Sequence, residues 1–445
     1  MALTGIQIFK LLPKTNCGEC KFPTCLAFAM ALAAAKTELD ACRYVSDEAR
    51  EQLSDASAPP IRQMTIGVGD YEVKVGGETV MFRHEKTFFN KPGLAIQITD
   101  SMDDSEVEKR FYKLAQLQYE RVGLTLRAEL AALKYTGDKE RFIKIVEKAC
   151  SEPYSIILMS YDLSVMKSAL EIICSKKPLI YAATKENYEA FGTLAKDYAC
   201  PLAVKGQGIE EVAGLTEKLV AMGLKDLVID TSTRTVKDGF QEQVIIRRAA
   251  LVSKYKPLGF PTIVFPAEMT DDPMKEVVIA SCFIPKYAGI IVMSNFEGES
   301  LFPLLLQRLN IYTDPQRPMT TQEGIYPINN PDEDSPVMVT CNFSLTYFIV
   351  SGEIENSRVP IWLCVMDTEG LSVMTAWAAG KFVGDVVGPF IKKCGIIDKV
   401  KHKKLIIPGY AAAILGDLEE ELPGWEILVG PREAAHIPAF IKTLK

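Results

Sequence analysis

Histidine is nearly absent from this chain, which has only three in 445 residues: His84, His402 and His436. Nucleophilic mechanisms of the Ser–His or Cys–His kind need an imidazole beside the nucleophile, so this shortage argues against them. We interpret all three as surface or hydrogen-bonded side chains. We predict no catalytic residue supplied by the chain itself.

Several other common features are also missing. No apolar run reaches the roughly 18 to 20 residues of a membrane-spanning helix. The start, MALTGIQIFK, lacks the basic residues and long apolar core of a signal peptide. A net charge of −7 argues against nucleic acid as the main partner. Neither G-x-G-x-x-G nor a P-loop is present, which disfavours a dinucleotide. We expect a cytoplasmic protein, because the cysteines described next fit free thiols and an iron–sulfur cluster in a reducing compartment.

The most informative feature that is present is a group of four cysteines, Cys17, Cys20, Cys25 and Cys42, spaced C-x2-C-x4-C-x16-C. Four thiolates are what a [4Fe–4S] cluster needs, one for each iron. Gly18 allows the tight turn that a bulky cluster requires. A zinc site usually has two C-x2-C pairs, and a disulfide framework suits small secreted domains, so we rank both below the cluster.

The remaining cysteines are scattered singly through apolar stretches, and we predict that they are small buried hydrophobes. They are Cys150, Cys174, Cys200, Cys282, Cys341, Cys364 and Cys394.

The chain is too long for one core, and its composition changes along its length. We predict an iron–sulfur domain over residues 1–57, ending in a small-residue and proline linker at Ser54–Pro60. Residues 58–92 are predicted as a linker with a β-hairpin, because residues 61–92 alternate polar and apolar around Gly76-Gly77.

Residues 93–315 repeat a strand–loop–helix pattern. Apolar runs lie at 94–99, 131–135, 155–161, 179–184, 201–205, 226–230, 262–267 and 290–294. Eight βα units over roughly 220 residues predict a TIM barrel, with an open doubly wound sheet as the alternative. Polar residues lie at the predicted strand ends: Asp100, Asp162, Thr184, Lys205, Asp230, Glu268 and Asn295. We favour a scaffold and docking role for the barrel over a small-molecule site.

Residues 316–336 are predicted as a second, proline-rich linker, followed by an α/β domain over 337–445. Its strands are predicted at 337–343, 361–367, 404–409 and 426–430. So few strands predict a small Rossmann- or flavodoxin-like sheet, which binds ligands outside the carboxyl ends of its strands.

The residues that follow those strand ends form our predicted cofactor site. The segment from Asp367 to Gly380 is the most informative, because Gly370 allows a tight turn and Ser372 or Thr375 can cap a helix. Small side chains there would admit a wide, flat ligand, although they would equally allow close helix–sheet packing. The predicted contacts are Thr340, Thr346, Gly370, Leu371, Ser372, Val373, Thr375, Gly380, Pro408, Gly409, Gly430, Pro431 and Ala435.

Three parts in this order resemble one family, the large (gamma) subunit of the corrinoid iron–sulfur protein. They are TNCGECKFPTCLAFA with Cys42, the barrel, and the C-terminal motifs MDTEGLSVMTAWAAGKF, IIPGYAA and VGPREAAHIP. The resemblance extends over the whole chain. The cysteine motif alone would fit other cluster domains, so the specificity comes from all three parts together.

The resemblance implies a methyl carrier of the reductive acetyl-CoA (Wood–Ljungdahl) pathway. Such a protein takes a methyl group from methyltetrahydrofolate through a separate methyltransferase and delivers it to the nickel–iron–sulfur site of acetyl-CoA synthase/CO dehydrogenase. It implies a heterodimer with a small barrel subunit, a corrinoid between that subunit and the C-terminal domain, and a low-potential electron donor such as ferredoxin.

The resemblance also implies roles for the two cofactors. No histidine lies in a D-x-H-x-x-G arrangement, the pattern that supplies an axial histidine to cobalt, so we expect a base-off corrinoid without a protein ligand. The cluster would return inactive Co(II) to Co(I). The alternatives are a ferredoxin-like electron carrier fused to a scaffold and a barrel enzyme with a regulatory cluster.

Overall fold

The structure is a computed structural model that describes residues 4–33, 37, 39–46, 49, 53, 59–121, 124–314 and 318–444. It divides into two compact units. The first runs to Gln118 and resumes from Arg127 to Tyr312, and the second comprises Tyr119–Leu126 and the chain from Thr313 onward. Within the described ranges, no helix is both long and apolar enough to cross a bilayer.

The N-terminal segment holds two short helices, α1 (Gly5–Leu11) and α2 (Cys25–Ala33). Thr4 starts α1 with a capping box, in which the side chains of Thr4 and Gln7 each bond the other's backbone N–H. Both helices pack onto one apolar cluster whose buried members include Ile8 and Phe28. Most of the linker predicted at Ser54–Pro60 lies outside the described residues.

A small antiparallel hairpin follows, made of β1 (Met64–Ile66) and β2 (Val73–Val75). The turn between them contains the 3₁₀ segment Gly69–Tyr71, so Gly76-Gly77 follows the second strand and does not form the turn as predicted. No strand lies between Val75 and Gly93. The period-two pattern of the later residues therefore does not correspond to a strand, and Phe82 in it is 51% exposed.

Eight parallel strands form a barrel. They are β3 (Gly93–Thr99), β6 (Leu130–Lys134), β7 (Ser155–Met159), β8 (Leu179–Ala183), β9 (Leu202–Lys205), β10 (Leu227–Asp230), β11 (Ile263–Val264) and β12 (Ile290–Met293). Continuous ladders run in the order β10-β9-β8-β7-β6-β3-β12-β11. A parallel bridge between Ile229 and Thr262 joins the two ends of that order. The predicted TIM barrel is confirmed, and the open sheet is excluded.

Helices cover the outside of the barrel. They are α3 (Asp104–Gln116), α4 (Lys139–Ser151), α5 (Leu163–Ile173), α6 (Tyr188–Asp197), α7 (Ile209–Ala221), α8 (Val236–Leu251), α9 (Pro273–Phe283) and α10 (Gly298–Ile311). The β1–β2 hairpin closes the amino end of the barrel, because its four apolar side chains join the interior core. Ser155, at the start of β7, donates to the Tyr71 carbonyl at 2.6 Å and holds the hairpin there.

A second hairpin, β4 (Tyr119–Arg121) and β5 (Leu124–Leu126), interrupts the barrel sequence after its first helix. These residues belong to the second compact unit, where the Arg121 guanidinium lies 5.3 Å from the centre of the Phe348 ring. Residues 93–315 are therefore not the uninterrupted barrel that we predicted. Each strand of this hairpin has only three residues, too few for a pattern of alternating apolar residues. The sequence therefore does not distinguish the hairpin from a loop.

The second unit is built on a five-stranded mixed sheet with the order β13-β15-β14-β16-β17. The strands are β13 (Gly324–Ile328), β14 (Val337–Cys341), β15 (Ile361–Met366), β16 (Lys404–Ile407) and β17 (Glu426–Val429). The last four are parallel and match the four predicted strands. The edge strand β13 is antiparallel and lies inside the predicted linker, so the sheet is not purely Rossmann-like.

Helices lie on both faces of this sheet. They are α11 (Ser344–Ser357), α12 (Val373–Ala378), α13 (Gly384–Lys393), α14 (Leu415–Glu421) and α15 (Ile437–Lys442). One face packs against α11 and α15, and the other against α12, α13 and α14. The carboxyl ends of the four parallel strands therefore share one edge, which we call the C-terminal edge.

Candidate functional site

Three of the four N-terminal cysteines contact the apolar cluster described above. Cys25 begins α2 and is buried, and Cys42 is buried just after the 3₁₀ turn at Leu39–Ala41. Cys20 is partly buried against the same cluster, while Cys17 is exposed. Three of the four predicted ligands thus border one apolar core, with the fourth on its solvent side.

Asn16 organises this loop, and the sequence analysis did not identify it. Its side-chain oxygen accepts from the Cys25 N–H at 2.8 Å, and its own N–H points at the Cys25 sulfur at 3.4 Å. Gly18 has φ +76°, and no atom lies within 4 Å of the place where a Cβ would stand. Gly18 is therefore needed for its backbone conformation, as predicted, and not for lack of space.

The donor set fits an iron–sulfur cluster, because thiolates with N–H groups directed at sulfur are the usual cluster environment. In the part of the chain that is described, no three His, Cys, Asp or Glu side chains are gathered at metal-binding spacing. The thiols lie around the core without forming a closed cage. The assignment of these four as ligands therefore stays a prediction.

The C-terminal edge brings together most of the predicted cofactor contacts. Thr340 is the penultimate residue of β14, and the predicted residues from Gly370 to Thr375 form the loop after β15 and the start of α12. Pro408-Gly409 and Gly430-Pro431 directly follow β16 and β17. Thr346 lies in the first turn of α11, Gly380 after α12, and Ala435 in a 3₁₀ turn before α15.

Three hydroxyl groups near this edge are buried without a partner: those of Thr321, Thr340 and Ser344. Thr340 and Ser344 are each only 2% exposed. Buried polar atoms are nearly always hydrogen-bonded, so unpaired ones call for a water or a ligand group. Thr340 was predicted as a contact, whereas Thr321, in the predicted linker, and Ser344, at the start of α11, were missed because neither lies at the end of a predicted strand.

Asn342 holds the loop after β15 in place. Its side-chain oxygen accepts from the backbone N–H groups of Thr368 and Gly370 and from the Thr368 hydroxyl, each at 3.0 Å. Its amide donates to Asp367 at 2.8 Å. One buried side chain therefore fixes the turn that leads into α12, and the sequence analysis did not single it out.

The glycines of this edge serve different purposes. At Gly370, with φ +76°, a Cβ would stand 2.8 Å from the Thr320 methyl group. At Gly380, with φ +70°, it would meet nothing within 4 Å. A Cβ on Gly409 would stand 2.5 Å from the Gly430 carbonyl oxygen. Gly409 and Gly430 thus allow the loops after β16 and β17 to approach each other closely. At these two positions, a small residue serves the packing of the chain, which was the alternative to ligand binding.

Ser372 stands at the N-cap of α12, but its hydroxyl pairs with that of Thr375 at 3.0 Å and bonds no backbone N–H. The predicted side-chain cap is therefore absent. Several apolar side chains on α11, α12 and the strand-end loops are exposed, namely those of Leu345, Ile349, Met374, Trp377, Tyr410 and Val429. These side chains are apolar surface that a ligand or a partner could cover.

The predicted residues at the carboxyl end of the barrel are paired with other protein groups. Asp230 is buried and receives the Tyr181 hydroxyl at 2.6 Å and the Arg234 guanidinium at 2.9 Å. Glu268 pairs with Arg234 at 2.5 Å and Lys134 at 2.9 Å. Burial alone would raise the pKa of Glu268, but the hydrogen bonds from Lys134 and Arg234 outweigh it and lower that pKa.

The other five predicted barrel residues also have local partners. Asp100 accepts three backbone N–H groups of the loop after β6, and Asp162 caps α5. Thr184 donates to Glu186, Lys205 to the Tyr161 hydroxyl, and Asn295 accepts from Lys113. Three barrel atoms, Gln97 Oε1, Ser232 Oγ and Gln307 Oε1, are buried without a partner.

The three histidines show no shared site. The two ring nitrogens of His402 lie 2.9 Å from the Ser335 carbonyl and 3.2 Å from the Lys404 N–H. His84 stacks on Phe82 with ring centres 5.7 Å apart, and His436 caps α15 at its backbone. His402 is hydrogen-bonded as predicted.

The parts now described, a four-cysteine segment, a parallel barrel and a second α/β unit, define a multidomain α/β protein with an N-terminal iron–sulfur segment. A family model described as CO dehydrogenase/acetyl-CoA synthase delta subunit matches residues 63–441, and one described as an Fe-S cluster matches residues 12–44. The chain belongs to the first of these families, and the predicted resemblance to the large subunit of a corrinoid/iron-sulfur protein is confirmed by the relatives that follow.

Relatives match over nearly the whole chain. The corrinoid/iron-sulfur protein large subunit of Moorella thermoacetica is 44% identical over 99% of both chains. The acetyl-CoA decarbonylase/synthase complex subunit gamma of Methanopyrus kandleri is 38% identical over 99% of this chain and 97% of its own. Among solved structures, the 7,8-dihydropteroate synthase of Vibrio fischeri covers 57% of this chain and 100% of its own, with 10% identity and a TM-score of 0.40, too weak to carry an argument.

Proposed function

We propose that this chain is a methyl carrier that accepts a methyl group from a methyltetrahydrofolate-dependent methyltransferase and delivers it to acetyl-CoA synthase. The observation that supports it most is the whole-length similarity to a corrinoid/iron-sulfur protein large subunit. When bound, a corrinoid would supply the cobalt that holds the methyl group, and a [4Fe–4S] cluster would supply single electrons that keep the cobalt active.

The C-terminal edge has the features that a corrinoid would require. Its unpaired Thr340 and Ser344 hydroxyls offer partners to the amide groups that surround such a ring. The loop from Gly370 to Thr375, held by Asn342, would form one wall. Exposed apolar side chains such as Met374 and Trp377 would be covered by the ring or by the small subunit of a heterodimer.

The thiols of Cys17, Cys20, Cys25 and Cys42 would hold the cluster. Asn16 keeps Cys25 oriented, and its N–H would stabilise negative charge on that sulfur. The bonding of both His402 nitrogens within the chain supports a corrinoid without a protein histidine on cobalt. The barrel would act mainly as a scaffold, because its charged strand-end groups are paired with one another.

A cysteine variant tests whether the N-terminal cluster serves reactivation alone, while the C-terminal unit carries the methyl group. Cys42→Ala should lose all cluster iron, because Cys42 is one of only two fully buried ligands. Reactivation by an electron donor should then stop, while chemically reduced protein should still accept a labelled methyl group from the methyltransferase.

The matched control is Cys341→Ala, which changes a buried cysteine of β14 outside the N-terminal segment. It should retain iron and reactivation. If the Cys42→Ala protein is reactivated at the rate of the parent, the cluster does not have the proposed role. If the parent accepts no methyl group at all, the carrier function itself is wrong, and the electron-carrier alternative is favoured.

A further inference from the structure

Two lysines flank Cys17, the most exposed of the four N-terminal cysteines. Lys14 lies three residues before it and Lys21 four residues after it, and both lysines are exposed. The Lys21 N–H donates to the Gly18 carbonyl at 3.0 Å, so Lys21 closes a turn that begins directly after Cys17. Two positive charges therefore stand on the same loop as the exposed cysteine.

Neither lysine is neutralised by a neighbouring acid. Among the residues that the structure describes, no carboxylate lies within ion-pair distance of Lys14 or Lys21, and the Lys14 ammonium lies 5.8 Å from the centre of the Phe9 ring. Glu19 is the only acidic residue between positions 12 and 24. Its carboxylate accepts from the Tyr44 hydroxyl at 2.8 Å and pairs with neither lysine.

The backbone at both lysines has a conformation that side chains rarely adopt. Lys14 has φ +56° and Lys21 has φ +65°. Glycine or asparagine reaches such angles more easily, because a Cβ atom is strained there. Strain of this kind is found mostly where it serves a function. Lysine at both positions therefore favours a role for the two charges beyond the formation of the turn.

The charge of the whole chain gives this loop its meaning. The net charge is −7, so an acidic protein is repelled by most of the surface. Residues 12–24 carry two lysines against one glutamate, which reverses the sign locally. An acidic partner would therefore be attracted to this loop, and its orientation would be fixed beside Cys17.

We propose that Lys14 and Lys21 form a docking surface for a small acidic electron-carrier protein, which delivers its electron on the Cys17 side of the N-terminal segment. The inference rests on the proposed role of the four cysteines as ligands of a one-electron centre. One electron leaves the reduced carrier, which is oxidised, and reduces the centre held by the four thiolates. No covalent bond forms or breaks in this step.

Other anionic partners fit this surface less well. A small anion is held by enclosed, desolvated donors, whereas an exposed lysine contributes little to binding a single small charge. Nucleic acid is bound through many phosphate contacts, and two lysines offer too few. A protein that presents several carboxylates can contact both lysines at once and cover the loop between them.

The test titrates the full-length, anaerobically purified protein with a two-cluster bacterial ferredoxin, a small acidic electron carrier, by isothermal titration calorimetry. A double variant, Lys14→Asn with Lys21→Asn, removes both charges and keeps a residue that accepts a positive φ. We expect it to bind the ferredoxin roughly five- to tenfold more weakly than the parent at about 0.01 M ionic strength. At about 1 M, where charges are screened beyond about 3 Å, the difference should disappear.

The matched control is Lys254→Asn, which removes another exposed lysine at φ +56°, outside the N-terminal segment. It should bind the ferredoxin as the parent does. A kinetic readout accompanies the titration. Reduced ferredoxin should reduce the cluster more slowly in the double variant than in the parent, while dithionite, which needs no docking surface, should reduce both proteins at nearly the same rate.

The outcomes separate this inference from the proposed function. Iron content and reduction by dithionite test the cluster itself, and a parent without iron would overturn both. In a parent that holds a reducible cluster, three results would overturn the docking surface alone: equal affinities of the parent and the double variant, equal weakening by Lys254→Asn, or ferredoxin binding that heparin, a polyanion without a redox centre, matches in affinity.

Discussion

The barrel and the C-terminal sheet both present the carboxyl ends of parallel strands, and these two edges are built differently. In the barrel, the strand ends carry a chain of opposite charges, in which Lys134, Glu268, Arg234 and Asp230 are linked. At the C-terminal edge, the strand ends carry unpaired hydroxyls such as that of Thr340, together with exposed apolar side chains.

This difference favours the C-terminal edge over the barrel edge as a ligand site. Charged groups that satisfy one another fix loops and gain little from a further partner, whereas buried hydroxyls without partners are stabilised when one arrives. Position at the end of a parallel strand is therefore not enough to identify a site. Gln97 Oε1 and Ser232 Oγ in the barrel also lack partners, so the two edges differ in degree.

The largest effect should come from Asn342→Leu, which keeps the branched shape of the side chain but removes the acceptor of three hydrogen bonds. Each buried group left unpaired costs about 1–3 kcal/mol, and the loop into α12 should lose its shape. A loss of about 2 kcal/mol in binding lowers affinity by more than about tenfold. We expect retained corrinoid, measured as cobalt in the purified protein, to fall accordingly.

The control is Asn329→Gly, which removes hydrogen bonds to the Ile354 and Val359 carbonyls at the opposite edge of the sheet. Glycine tolerates the φ of +58° at this position. This variant should be less stable but keep its cobalt. Equal cobalt loss in the two variants would mean that general destabilisation, and not the Asn342 loop, controls occupancy.

Arg234→Ala should have the opposite profile, with a loss of stability and no loss of corrinoid. The change leaves the buried Asp230 without its cation, and breaking such a pair costs about 3 kcal/mol in the free energy of unfolding. Denaturant unfolding measures this loss, and Arg248→Ala, which removes an exposed arginine of α8, is the control. Cobalt loss in folded Arg234→Ala protein would contradict a scaffold role for the barrel.

The pH dependence of the same variant adds a second readout. Because the pKa of Glu268 is lowered in the folded chain, the stabilisation by its cations is full above the ordinary glutamate pKa and is lost as the pH falls through the lowered value. In Arg234→Ala, one of these cations is gone. Its stability should therefore fall less steeply on acidification than that of the parent.

A smaller effect is expected from two alanine substitutions that impose the same backbone strain but differ in the room available for the added Cβ atom. Gly370→Ala and Gly380→Ala both force alanine into a positive φ, which costs about 1–2 kcal/mol. Only Gly370→Ala adds a clash, with Thr320. Gly370→Ala should lower both the free energy of unfolding and the cobalt content more than Gly380→Ala does. Equal values for the two variants would show that close packing of the Gly370 loop has no part in the site.

The sequence predicted regular elements well, because long apolar runs separated by amphipathic helices have few alternative structures. All eight barrel strands and the four parallel C-terminal strands were anticipated on that basis. The strand β13 was missed because Pro327 lies in it, and proline is tolerated only at a sheet edge such as this one. The hairpin β4–β5 is too short to show any pattern.

The candidate site could be located from the sequence but not detailed. The rule that ligands bind beyond parallel strand ends led us to predict contacts that the structure gathers at the C-terminal edge, and their binding of a cofactor stays a prediction. The roles of Asn342 and Asn16 depend on contacts between residues that are not neighbours in the sequence. No local spacing encodes such contacts. The roles of Gly409 and Gly430 likewise became clear only when their backbones were seen to touch.

The most direct test of the central claim is metal analysis, with a visible spectrum, of the protein purified anaerobically together with its small subunit. The account predicts about four iron atoms and one cobalt for each copy of this chain, with sharp corrinoid bands that change on reduction and methylation. Iron without cobalt, and a spectrum with only a broad cluster shoulder, would contradict it.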